Sequence, residues 1–154
     1  MARFALLCAA LVTILPAVFA SPVAESTTLD KRVTHEGWAT WYDTGLGACG
    51  YTDSNSDPVV AISHLIYGSG GNCNQASSQD CVYELKFADG CIISQWMEIT
   101  YNGITQYGKT RDECEACGEY DIDLSPSLFE GFAALSVGQL EDVEWHFMNK
   151  DWSP

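Results

Sequence analysis

The sequence predicts a small, mainly β domain closed into a barrel and stabilised by disulfides. Three observations carry that expectation. The apolar segments are short and strand-like, turn signals recur every ten residues or so, and the cysteines form an even set behind a secretory leader.

The leader comes first. Arg3 gives a positive start, FALLCAALVTILPAVFA supplies an apolar run broken by Pro16, and small residues close it at Val18 and Ala20. This is the pattern of a signal peptide cut after Ala20, and the run is too short for a membrane span. SPVAESTTLDKR, residues 21–32, is polar and ends in Lys31-Arg32, the form of a short pro-segment trimmed at a dibasic site. A single domain of ordinary size is then expected over 33–154, secreted and extracellular.

That mature domain keeps four cations (Lys86, Lys109, Arg111 and Lys150) against 19 acids, a net charge of −15 with histidines neutral. Such a surface repels nucleic acid and anionic membranes. Neutral polysaccharides and cationic polymers such as chitosan stay open, as does simple solubility at acidic pH. Once Cys8 leaves with the leader, Cys49, Cys73, Cys81, Cys91, Cys114 and Cys117 read as three disulfides. CEAC at 114–117 has no second CxxC and no thioredoxin-like pattern around it, so neither a zinc site nor a redox pair is expected. A monomer without metal or cofactor is the expectation.

The strands follow in order. HEGWATWY (35–42) is aromatic-rich, and DPVVAIS (57–63) is an apolar run opened by a proline. A long Gly/Ser/Asn-rich loop spans 67–80. CVYELKF (81–87) alternates, and IISQWMEITY (92–101) is β-branched and aromatic. Asn102-Gly103 is a strong hairpin dipeptide that leads into GITQYGKT (103–110). DVEWHFM (142–148) puts Val143, Trp145 and Phe147 on one face and Glu144 and His146 on the other. One helix interrupts them: Ser125 as N-cap, Pro126 at the first position, then Leu128, Phe129 and Phe132 on one side.

TWYDTGLGACGYT, SDPVVAISHLIY, CEACGEYDIDLSPSLFEGFA and LEDVEWHF occur in one order that resembles the rare lipoprotein A-like double-psi β-barrel family. More narrowly the order resembles the fungal expansin-like loosenins. The resemblance spans about 36–148 and implies a six-stranded double-psi barrel with a groove across one side. It implies the barrel alone, without the second β-sandwich of plant expansins. It also implies non-hydrolytic binding or loosening of cell-wall polysaccharide such as cellulose, chitin or a related glucan. Loosenins read Asp-Arg-Cys before the CxxC loop, whereas this chain reads Thr110-Arg111-Asp112-Glu113-Cys114. Alignment to the expansin pattern implies Cys49–Cys81, with Cys114–Cys117 closing a small loop and Cys73–Cys91 remaining.

The same resemblance makes Asp123 the candidate acid, in the place where family-45 endoglucanase relatives keep a proton donor. It makes Asp43, five residues before Cys49, the candidate base. Inverting hydrolysis needs two carboxyls roughly 6.5–9.5 Å apart with one protonated. Asp123 also precedes a helix N-terminus, whose field is expected to lower its pKa and so to suit an anchor or base better than an acid. Asp43 could equally close a turn. Trp41, Tyr42 and Tyr120 are the candidate sugar-binding aromatics; of Trp41 and Tyr42, one is expected in the core and the other toward the groove. His64 reads as a hydrogen-bonded structural histidine. Three functions stay open: a polysaccharide binder, a hydrolase or lytic enzyme using Asp123 and Asp43, and an effector or protease inhibitor acting through its loops.

Overall fold

The computed structural model describes residues 32–73, 94–150 and 152–154. Six strands close into a barrel in the order β1-β5-β2-β4-β3-β6. They are β1 (His35–Trp41), β2 (Val59–Ser63), β3 (Trp96–Tyr101), β4 (Ile104–Cys114), β5 (Ile122–Leu124) and β6 (Gln139–Phe147). Two short helices accompany them, α1 (His64–Tyr67) and α2 (Pro126–Glu130), with a 3-10 turn at Leu135–Val137. β1 runs parallel to β5 and β2 parallel to β4, while β5 and β2 pair antiparallel. Parallel neighbours need crossover connections, and here the crossovers carry the loops after β1 and β2.

Closure removes sheet edges, so a strand can bury one face inside and turn the other outward, although β2 is buried on both faces. Ala39, Val60, Ile62, Ile99, Leu124 and Trp145 are among the residues that fill the interior, and Phe129 of α2 plugs it. The hairpin at Asn102-Gly103 forms as expected. Both residues have positive φ (49° and 77°), the type I′ requirement that this dipeptide meets at little cost. Tyr101 then pairs with Ile104.

Several expectations shift. β4 runs four residues past the expected end at 110, to Cys114, because its second half, from Lys109 on, pairs with β2. β6 starts at Gln139, three residues before the expected start, because a register slip opposite Gly37 and Ala39 lets the chain continue past Asp142 (φ 59°). β5 is three residues long and had no strand signal of its own. Ser125 does not cap α2 with its side chain; its hydroxyl instead accepts from the Val59 amide at 3.3 Å.

The disulfides need a correction. Cys49 pairs with Cys73, Cα atoms 5.2 Å apart, and not with Cys81; Cys73 is therefore not the partner of Cys91. The tight turns after α1, at Gly68 and Gly70 with φ of 54° and 75°, fold residues 68–73 back so that Cys73 meets the loop carrying Cys49. Closing a loop of 24 residues is worth about 3 kcal/mol in the chain-entropy account. Cys114–Cys117 forms as expected. Cys81, Cys91 and the expected strand 81–87 lie outside the described residues.

Candidate functional site

The slip in β6 leaves β1 regular, so its side chains alternate. Ala39 faces the interior, and Trp38 and Thr40 face out. Register then extends one outward row across the barrel. Thr40 lies opposite Gln139 of β6 on one side and Asp123 of β5 on the other. Asp123 lies opposite Ala61 of β2, and Ala61 opposite Asp112 of β4. Two half-buried carboxylates thus flank the Ala61 methyl, itself 3% exposed, on the side of the strands that faces away from the barrel interior.

Tyr42 completes the row. Its amide bonds to Leu124 O at 3.0 Å, just past the end of β1, and its hydroxyl donates to Asp112. Burial first, then the charges of Asp112, Asp123 and Asp53, hold this phenol well above its usual pKa, so it stays a hydrogen-bond donor. Thr40 Oγ1 donates to Asp123 Oδ1 at 2.8 Å. Burial pushes the Asp123 carboxyl above the usual carboxylate range, the Thr40 and Leu124 hydrogen bonds pull it back in part, and the Asp112 charge pushes the same way as burial. The expected lowering by the helix field is not what governs Asp123. α2 is a five-residue helix, too short for a strong field, and burial outweighs it.

The GLGACG stretch explains how Asp112 is held. Asp112 Oδ1 accepts from the Ala48 amide at 2.7 Å and the Glu113 amide at 2.9 Å, which ties the 45–50 loop to β4. A Cβ on Gly47 would sit 2.5 Å from Arg111 O, so only glycine allows this approach. Arg111 stacks its guanidinium 3.7 Å from the centre of the Tyr51 ring and places Nε 3.7 Å from Asp53 Oδ1. The cation nearest in sequence to Asp112 is thus committed to other partners.

Asp43 follows β1 on an exposed turn, where its Oδ1 accepts from Asn55 Nδ2 at 2.8 Å. The carboxylate whose charge acts on Asp123 is Asp112, not Asp43. Trp41 packs against the core and donates its indole N–H to Leu135 O at 3.0 Å, so it is Tyr42 that reaches the outer row. Tyr120 is exposed toward the His35 end of β1, where its ring stacks on His35 at 5.0 Å. His64 keeps its Nδ1 buried without a hydrogen-bond partner among the described residues. Asp112 and Trp38 were not singled out from the sequence. The signal for Asp112 is the spacing Asp-x-Cys, which Asp112-Glu113-Cys114 keeps although the arginine has moved.

No family model matches the chain. It is 29% identical over 131 residues to a papain inhibitor of Streptomyces mobaraensis, covering 84% of this chain and 80% of the inhibitor. The solved Streptomyces papain inhibitor superposes with a TM-score of 0.58 at 27% identity, over 76% of this chain and 96% of the inhibitor. The chain shares the double-psi β-barrel fold of these proteins. A Clavibacter michiganensis expansin solved with cellohexaose shares the barrel with a TM-score of 0.59 at 18% identity, over 79% of this chain and 54% of the expansin. Allergen Asp f 7 of Aspergillus fumigatus is 32% identical over 117 residues, which are 72% of this chain and 36% of the allergen. The chain therefore spans little more than a third of the curated allergens it matches.

Proposed function

We propose that this double-psi barrel is a secreted, expansin-like protein that binds cell-wall polysaccharide on its outer row and loosens it without cleaving a bond. The observation that carries the reading is the run Thr40–Asp123–Ala61–Asp112 across four strands, with two carboxylates that no cation neutralises among the described residues. Asp123 keeps acceptor capacity beside its bond from Thr40, and a sugar hydroxyl can donate to it. The leader, the dibasic site and the two disulfides support secretion.

Hydrolysis is less well supported than binding. Asp43 is held by Asn55 on an exposed turn. Asp112 already accepts two backbone N–H groups and the Tyr42 hydroxyl, so its oxygens are engaged in holding the 45–50 loop and Tyr42. One further observation favours a second reading, protease inhibition: the papain inhibitor is matched over most of its own length, and Leu46 on its loop and Leu65 on α1 are strongly exposed.

One experiment separates the three. Purified mature protein is incubated with cellulose, chitin, chitosan, xylan and peptidoglycan, and bound fraction and released reducing ends are measured together; papain activity is followed alongside. Retention on a polysaccharide with no reducing ends is the expected result. Stoichiometric papain inhibition without retention would replace this reading with the inhibitor.

A further inference from the structure

Trp38 is the tryptophan that the fold does not use. Trp41 is pinned to Leu135 O, Trp96 and Trp152 pack edge to face at 6.2 Å, and Trp145 is 1% exposed in the core. Trp38 is 52% exposed, and among the described residues its indole has neither a ring partner nor a hydrogen bond; only its backbone amide is engaged, by Asp121 Oδ1 at 2.8 Å. It shares the outer face of β1 with Thr40, about 7 Å away along the strand. That separation suits neighbouring units of one sugar chain.

The surroundings of Trp38 are acidic on both sides. Toward the start of β1, Glu36 lies directly opposite Glu144 of β6, and both are exposed. Like charges facing each other across strands cost stability, and no ion pair relieves this one among the described residues. Arg32 reaches this strand, at His146, and belongs to the segment expected to be removed. Toward the end of β1 lie Thr40 and Asp123. An exposed indole therefore stands between two carboxylate positions on one sheet face. Pyranose rings stack on aromatic faces, and a cation over an indole is attracted by the ring as well.

We propose that Trp38 is a stacking platform that extends the Asp123 row, and that its occupant is a polysaccharide carrying free amino groups, a chitosan-like polymer of glucosamine. A sugar ring lies on the indole, and ammonium groups of adjoining units meet Glu36 and Glu144 at one end and Asp123 at the other. Charge complementarity selects this occupant over a neutral glucan. The inference rests on the polysaccharide reading above and adds the substrate class and the residue that sets it.

The test uses hexamers of glucosamine, N-acetylglucosamine and glucose with the mature protein, at mildly acidic pH where the amines are charged, by titration calorimetry at low and high salt. The glucosamine hexamer is expected to bind most tightly and to weaken as salt rises. Trp38→Ala should weaken it by about tenfold, and Trp38→Phe should restore most of the loss. Circular dichroism of both variants checks that the barrel is intact. Equal, salt-insensitive binding of all three hexamers overturns the amino-sugar preference while the polysaccharide reading stands. Unchanged binding by Trp38→Ala, with loss in Asp123→Asn, overturns the platform and leaves the row. Binding of none of the hexamers removes the reading and this inference together.

Discussion

The two faces of β1 carry the same kinds of residue and do opposite work. Inside, Ala39 is fully buried and Trp41 packs on the core with its indole tied to Leu135 O. Outside, Trp38 is half exposed, Thr40 orients Asp123, and Tyr42 reaches Asp112. An aromatic next to an aspartate is thus not itself a signature of binding. What separates the two faces is where each polar tip finds its partner. Trp41 finds a backbone carbonyl of the fold, while the outer residues are arranged around carboxylates that no cation satisfies among the described residues.

Substitutions on the two faces should therefore separate stability from function. The largest expected effect is on the inner side: Trp145→Ala, removing a ring that is 1% exposed, should cost about 3–5 kcal/mol in urea unfolding. Trp41→Ala should cost about 2–4 kcal/mol, less because the ring is only partly buried. Breaking Cys49–Cys73 by paired serines should cost about 3 kcal/mol and loosen the 45–50 loop, read as faster amide exchange there. Asp112→Ala leaves the Ala48 and Glu113 amides without their acceptor and should cost about 1–3 kcal/mol. On the outer side, Trp38→Ala should change stability by no more than about 0.5 kcal/mol. Trp41→Ala and Trp38→Ala with equal stability losses would break the comparison.

The smallest effect is a pH slope. Asp123 has a raised pKa in the fold, so the stability that its protonated form contributes is fully present below the ordinary carboxylate range. That contribution is lost as pH rises through the raised value. Asp123→Asn should therefore gain on wild type at neutral pH, and the gain should shrink in acid. Urea midpoints at the two pH values check this; an opposite sign would mean that the charged form is the one the fold favours.

Much of this arrangement was legible in the sequence, and the limits have physical causes. Apolar and aromatic runs, alternation and the Asn102-Gly103 turn marked five of the six described strands and one hairpin, because a strand with a buried face and a type I′ turn each impose a local pattern. β5 escaped because three residues hold too little pattern, and its parallel pairing with β1 is a contact between positions 83 apart. Asp123 was found through its motif, yet its pKa direction was misjudged because burial comes from other strands. Asp43 was named as the candidate base by motif spacing alone, and its carboxylate accepts from Asn55, twelve residues on. Trp38 was passed over because TWYD next to it matched the family pattern and HEGW did not. The partner of Cys49 was misassigned because loop geometry, not alignment, decides which sulfur comes near.

The central claim is that Asp123 binds sugar and does not transfer a proton. The most direct test is one calorimetric titration of the bound polysaccharide's oligomer into wild type, Asp123→Asn and Asp43→Asn, with reducing ends assayed in the same samples. Binding should weaken by about 1.5–3 kcal/mol in Asp123→Asn, the scale of a hydrogen bond to a charged group, and stay unchanged in Asp43→Asn, with no reducing ends released by any of them. Steady release by wild type that disappears in Asp123→Asn while binding holds would contradict the account and make this barrel an enzyme.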